Sequence, residues 1–578
     1  MHNRALRAGI STRHVGEDEP IMKVFRRVRE QKVGILRDRA LRSEGVEIVR
    51  GDVPTARAKK SPVRIDEAEI RSYGEIERCS AEIYTPETVG ELRALLSNLA
   101  RAGRKVTFRA GGCSLDGQSL NEDVVVFLDE LDSISIDDKE KNPTVTVEPG
   151  ATWGDIVRAL EPRGLVPFVT VTASRATAGG TASVDGVSRF TSSLGKESTF
   201  VERLVLLTVD GALHDLRPDA ANESDRALFF GVVGGFGYLG VIVSLTYRVL
   251  RPKAEGPPRE RLRVVTRVRK TEDIDTFASR GKGVSPPLSS SERTRKRRGA
   301  CKAIARGLHG RFAALAVGNR QNEVEPQANP VAFYGVVCPG NRPRGLAFES
   351  TYVRAERTNP MLQHQPLHPL RPLAEWIARW RFTNELFWWA TYLMFQEGVD
   401  YIDELFGYTF FMDGNVRTRA LERRLGMRTY TLQQTYVLPF TEDSLEAFLE
   451  RVLAFFEERA LVPLLFDVLF VPADDVILSA SRGRDGFAVT IAFETMKEAE
   501  LPARTQALRD LSRMCLSVNG RVHLGKTVCA DADVLHAMYG DAIEEFRVLK
   551  ERVDPRHILR NEFLERVFPS LAVVPSDP

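Results

Sequence analysis

The chain has 578 residues, 43% of them hydrophobic and 28% charged, a balance that supports a sizeable core, argues against global disorder and fits several domains or one large two-domain enzyme. Lys and Arg number 81 against 78 Asp and Glu, a formal net charge of +3, so no general argument for nucleic acid exists and any basic patch is local. Six cysteines (Cys79, Cys113, Cys301, Cys338, Cys515, Cys529) stand without a Cys-x-x-Cys pair, which fits neither a zinc site nor a disulfide framework, and no metal is expected.

Residues 1–60 hold 15 Lys/Arg against 8 Asp/Glu, and 1–79 reads as a basic N-terminal extension, a solvated arm in preference to a site for an anionic partner. Arg4, Arg7 and Arg13 are followed by no apolar stretch of signal-peptide length, and no run of 18 apolar residues occurs. The expectation is a cytoplasmic chain that does not cross a membrane. A folded domain, 80–252, is expected to open with Tyr84-Thr85-Pro86-Glu87-Thr88, because Val89, Leu92, Leu95, Leu96 and Leu99 follow at helical spacing. Short β-branched runs predict strands at 106–108, 124–128, 144–147, 204–209 and 241–249. Thr152 with Asp155 predicts a capped helix, and Asp210-Gly211 a hairpin. The fold class is α+β.

Residues 253–300, rich in Pro, Ser and charge, read as a mobile linker. A second domain, 301–568, is expected to contain an aromatic insertion, 371–400, that holds four of the five tryptophans (Trp376, Trp380, Trp388, Trp389). Its run 382–395, with Phe382, Phe387, Tyr392 and Phe395, is too short to span a bilayer and reads as core packing or as a peripheral membrane contact. Strands are predicted at 432–438 and 488–493, helices around 444–458 and 542–552, and a tail at 569–578.

Three glycine clusters carry the chemistry. The loop Arg109-Ala110-Gly111-Gly112-Cys113-Ser114 follows a strand and continues to Gln118 and Ser119. Glycines there let backbone N–H groups approach an anion, and Ser114, Gln118 and Ser119 add neutral donors, so a diphosphate is the natural guest. The stretch Thr177-Ala178-Gly179-Gly180-Thr181-Ala182-Ser183 to Gly186 repeats that composition, and two such loops can clasp one ligand. The third, Gly235 to Gly240, matches the letters of a dinucleotide fingerprint, but Val241, Ile242 and Val243 continue it as a strand, which excludes the Rossmann reading.

In order, Tyr84 to Thr88, Arg109 to Ser114, Glu148-Pro149-Gly150-Ala151-Thr152-Trp153, Gly179-Gly180-Thr181 and Gly234 to Ile242 resemble the FAD-binding (PCMH-type) domain of the vanillyl-alcohol oxidase superfamily. The resemblance implies FAD, with Gly240, Val241 and Ile242 along the nucleotide, and a two-domain fold. Leu432 to Pro439, Gly520 to Lys526, Met538-Tyr539-Gly540, Phe546-Arg547 and Val553-Asp554-Pro555 are similar to the substrate domain of decaprenylphosphoryl-ribose oxidases and of sugar-lactone and alditol oxidases, and more distantly of delta-24 sterol reductases. It leaves 280–425 unexplained.

By this resemblance the chain is an oxidoreductase that removes hydride from a CH–OH group of a sugar, polyol or polyprenyl-linked glycoside. A nicotinamide-driven C=C reductase and a non-catalytic flavin-fold protein are the alternatives. Such chemistry needs a proton acceptor and a positive group at the flavin. The resemblance places Lys526 at the substrate face, His523 against the flavin and Gln433 towards substrate. Many relatives bond FAD through a histidine after the Gly-Gly pair; Cys113 stands there, which implies non-covalent FAD, and 186–190 lacks the histidines of the ribose oxidases. The expected partner is a small-molecule substrate, with no nucleic acid.

Overall fold

The computed structural model describes residues 63–139, 142–257, 259–271, 290–321, 331–339, 343–359, 381–414 and 424–572, together with Arg419 and Glu422. The basic extension through 62, Trp376, Trp380 and residues 573–578 lie outside the described residues, as do the side chains of Phe382 and Phe387.

The first sheet contains β1 (Val63–Arg71), β2 (Arg78–Thr85), β3 (Val106–Arg109) and β4 (Val124–Phe127), in the order β1-β2-β4-β3. β1 pairs antiparallel with β2, whereas β2 and β3 both run parallel to β4. Parallel pairing requires a crossover, and the helix Val89–Arg101 supplies it. Thr88 caps that helix by accepting the Glu91 N–H at 3.1 Å, and Leu92, Leu95, Leu96 and Leu99 are buried, as their spacing predicts.

The second sheet is antiparallel: β5 (Ile134–Asp137), β6 (Thr144–Val147), β8 (Val201–Leu207), β9 (Leu213–Leu216) and β10 (Val241–Leu250) lie in the order β5-β6-β10-β8-β9, with β7 (Val166–Pro167) also on β10. The Thr152 cap is present, accepting the Asp155 N–H at 3.1 Å and donating to its carboxylate at 2.6 Å. β10 starts directly after Gly240, so the third glycine cluster opens a strand and not a helix.

The third sheet has the order β14-β11-β13-β12-β16-β17-β15-β18. Its strands are β11 (Leu262–Thr271), β12 (Ala332–Cys338), β13 (Arg344–Arg354), β14 (Asp400–Glu404), β15 (Tyr430–Pro439), β16 (Leu465–Val471), β17 (Gly486–Thr495) and β18 (Arg521–His523). The helices Glu442–Arg459, Leu501–Leu516 and Ala532–Val553 accompany it.

Three boundaries differ from expectation. Residues 63–79 are not part of an arm, because β1 and the start of β2 belong to the first sheet. Residues 253–300 are not one linker: β11 is an interior strand of the third sheet and the helix Ser290–Gln321 begins inside that range, while 258 and 272–289 lie outside the described residues. Charge on β11 is met across strands, Arg263 to Glu404 at 3.0 Å and Arg267 to Asp400 at 2.7 Å. Residues after 553 leave the substrate domain and return to the first sheet. There Ile558 O accepts the Val106 N–H at 2.9 Å, and Asn561 Nδ2 donates to Leu120 O at 2.9 Å and Gln118 O at 3.2 Å. The tail opens with a short helix, Pro569–Ala572, with Leu571 and Ala572 buried.

The aromatic helix Arg381–Met394 is split by burial. Trp388, Tyr392 and the following Phe395 are buried, while Trp389 is 53% exposed and Leu393 and Met394 share its outward side. Among the described residues, no helix is long and apolar enough to cross a membrane.

Candidate active site

One cavity collects the side chains and loops nominated from sequence. Arg109, Ala110, Gly111, Gly112, Cys113, Ser114, Gln118 and Ser119 line it from the first loop, and Thr177, Gly179, Gly180, Thr181, Ser183 and Gly186 from the second. Gly240, Val241 and Ile242 from β10 and Gln433, His523 and Lys526 from the third sheet complete the set. Tyr73, Val171, Thr172, Val187 and Met412 line it too and were missed. Tyr73 sits in the stretch read as an arm and Met412 in the stretch left unexplained; neither has a local motif.

The two glycine loops do different work. Among the described residues, no protein acceptor takes the backbone N–H of Gly111, Gly112, Cys113 or Ser114. Four free donors beside a cavity form an anion-binding concavity. Gly111 has no room for a side chain, since a Cβ there would lie 2.3 Å from Arg175 O, and the Arg175 guanidinium donates back to Gly111 O at 3.0 and 2.6 Å. In the second loop the N–H groups are already engaged: Gly179 to Pro149 O at 3.1 Å, Gly180 to Thr177 Oγ1 at 3.3 Å, and Gly186 to Thr181 O at 3.1 Å. That loop forms a close-packed wall and does not repeat the first loop's donor chemistry.

Several polar side chains expected to reach the ligand are held by the protein. Arg109 donates to Ser119 Oγ and to Arg71 O, each at 2.9 Å, and burial followed by Arg175 lowers its pKa to about 10. Thr181 Oγ1 accepts the Trp153 indole N–H at 2.9 Å, and Ser183 Oγ donates to Gly179 O at 2.7 Å. Gln118 donates to main-chain carbonyls of the segment that carries Lys526.

Further lining comes from β15, β18 and the turn that follows β18. Period-two geometry puts Gln433 and Thr435 on one face of β15. Gln433 reaches the cavity, whereas Thr435 shares a 2.8 Å hydrogen bond with Thr490 of β17, a cross-strand pair. His523 lies opposite Thr435, and burial, reinforced by the charges of Lys196 and Lys526, lowers its pKa to about 3, so the imidazole is neutral. Gly525 is required between them: a Cβ there would meet His523 Nε2 at 2.8 Å and Val184 O at 3.0 Å. Burial also lowers the Lys526 pKa, with the Cys113 sulfur opposing. Burial raises the Cys113 thiol against the pull of Arg175, Arg109 and Lys526, so it is a neutral thiol.

The cavity suits a flavin dinucleotide. Free N–H donors and Arg109 stand at the first loop, no Asp or Glu lines the wall, and the half-buried Lys526 lines the same space, close enough to act on the Cys113 sulfur. Bound FAD supplies a hydride acceptor; the first loop would hold its diphosphate, and the second loop with β10 would flank it.

Residues 81–217 match the model of an FAD-binding domain, and residues 431–567 match that of D-arabinono-1,4-lactone oxidase. The chain is 23% identical to L-gulonolactone oxidase of Mus musculus over 86% of its length and 97% of that relative. It is 31% identical to an uncharacterized oxidoreductase of the fasciation locus of Rhodococcoides fascians over 29% of this chain and 37% of that protein. With cytokinin dehydrogenase 1 of Arabidopsis thaliana the identity is 30% over 28% of each. Matches to a flavin domain and, in order, to a lactone-oxidase domain agree with one cavity lined by both the free-donor loop and a half-buried lysine. The chain is an FAD-dependent oxidoreductase of the two-domain vanillyl-alcohol-oxidase fold, its C-terminal part similar to the aldonolactone oxidases.

Proposed function

We propose that the protein oxidises a CH–OH group of a sugar, sugar lactone or polyol, free or lipid-linked, with non-covalently held FAD as hydride acceptor. The observation that carries this is the convergence of Lys526, His523 and Gln433 on the cavity that the free N–H groups of the first loop also line. Protonated Lys526 holds a substrate oxygen by a charge-assisted hydrogen bond and stabilises negative charge beside it. The unprotonated ring nitrogen of neutral His523 accepts the hydroxyl proton as hydride leaves the carbon, the Gln433 amide orients that oxygen, and Val171, Val187 and Met412 exclude water from the same space.

Anaerobic titration tests the reading. Bleaching of the flavin by an aldonolactone or polyol supports it; bleaching by NAD(P)H with none by any alcohol replaces it with a reductase. The exposed side of the aromatic helix, Trp389, Leu393 and Met394, supports a peripheral lipid contact as part of this proposal. Co-sedimentation with anionic vesicles, lost in Trp389→Asn, checks it.

A further inference from the structure

Gln118 reads from sequence as a diphosphate donor, yet its amide faces away from that task. Nε2 donates to Lys526 O at 2.7 Å and to Leu524 O at 3.2 Å, and Oε1 accepts the Asp116 N–H at 3.2 Å. A primary amide has two donor hydrogens, and both are taken by main chain 406 and 408 residues away in sequence. Next to it, Asp116 Oδ2 accepts the Val528 N–H at 3.0 Å, and Arg566 grips the same carboxylate at 2.8 and 2.9 Å. On the other side, Thr527 N donates to Gln433 O at 2.8 Å and Thr527 Oγ1 accepts the Gln433 N–H at 3.1 Å. The turn that carries Lys526 is therefore clamped between the strand holding Gln433 and the loop that follows Gly111–Ser114.

Lysine has four rotatable side-chain bonds, so its ammonium is aimed either by a partner at its tip or by a fixed root and tight walls. Among the described residues no acceptor holds Lys526 Nζ, which leaves the root. We infer that Gln118 is a positioning residue: its amide ties the Lys526 main chain to the cofactor loop, so that one side chain links the seating of FAD to the aim of the ammonium. This rests on the reading that Lys526 works at the reacting end. A main-chain shift of about 1 Å at such a root costs on the order of 10²-fold in rate, because the misplaced group misses the reacting atoms while binding is little changed.

The test uses the FAD-loaded enzyme and Gln118→Met, which keeps length and removes the amide. Flavin reduction at saturating substrate should fall roughly 10- to 100-fold with KM nearly unchanged, FAD affinity should stay within about threefold because the amide gives nothing to the cofactor, and the N–H groups of Thr527 and Val528 should exchange faster with deuterium. In a Lys526→Ala background the same change should add almost nothing, since the effect runs through Lys526. Gln118→Asn, which keeps an amide of shorter reach, stands in if the Met variant does not fold, and should show the same pattern in weaker form. Equal slowing of wild type and Lys526→Ala by Gln118→Met, unchanged exchange at Thr527 and Val528, or loss of FAD in parallel with rate would each overturn the assignment. Wild-type reduction by Lys526→Ala alone would instead overturn the proposed role of Lys526, whereas the exchange result reports on the clamp independently.

Discussion

The Tyr247 hydroxyl donates a 2.6 Å hydrogen bond to Glu197 Oε1 behind the second glycine loop. Burial pushes the Glu197 pKa from 4.5 up to about 8, so the folded protein binds this proton more tightly than the unfolded chain. Glu197 therefore adds stability that is complete below about pH 4.5 and is lost as pH rises through about 8. Glu197→Gln removes the titration, so its melting temperature should decline less than that of wild type across this window. Parallel curves from pH 5 to 8 would contradict the protonated state.

Lys526 predicts an alkaline limit. Burial holds its pKa below the ordinary 10.5, and the protonated form is the one that grips oxygen, so flavin reduction should fall as pH rises through a value under 10.5. Lys526→Ala should keep FAD and stability but reduce about 10²-fold more slowly. Lys526→Arg should move the limb upward while recovering turnover only in part, since a guanidinium differs in reach and shape. Stopped-flow reduction from pH 6 to 10 reads all three.

Lys196 is a buried cation between two carboxylates, bonded to Asp185 of the flavin domain and 2.8 Å from Asp474 in the loop between β16 and β17. Its Nζ also donates to Ser479 at 2.6 Å. Lys196→Met leaves buried Asp185 and half-buried Asp474 without their shared cation and should cost about 3–5 kcal/mol in chemical denaturation, the usual scale for half of a buried pair. A midpoint within error of wild type would show that Asp185 and Asp474 relax to solvent.

Cys113 should not retain flavin. Its thiol is held neutral by burial, and only a thiolate attacks. Acid precipitation should leave all yellow colour in the supernatant, and a fluorescent polypeptide band on a denaturing gel would refute this.

Elements set by local chemistry were legible: the apolar helix after Thr88, the Thr152 cap, the β-branched runs, the strand after Gly240. β1 and β11 were not, because Arg and Glu at alternate positions look solvated until cross-strand partners such as Glu404 and Asp400 are in place. Composition marked the cavity loops, and every nominated residue lines one space. What it could not show is which donors were free. Thr181, Ser183 and Gln118 have the right chemistry, but partners brought near by folding engage it, one of them over 400 positions away.

The return of the chain to the first sheet sets a timetable for the newborn protein. Asn561 holds the carbonyl of Leu120 across 441 positions, so the loop that accepts the cofactor is synthesised early and braced late. During translation it emerges with its glycine N–H groups but without Asn561 or Arg566 behind it. Firm uptake of FAD then waits for the ribosome to finish the region around 560, and a chain broken off before that point should leave synthesis colourless, however complete its glycine motifs.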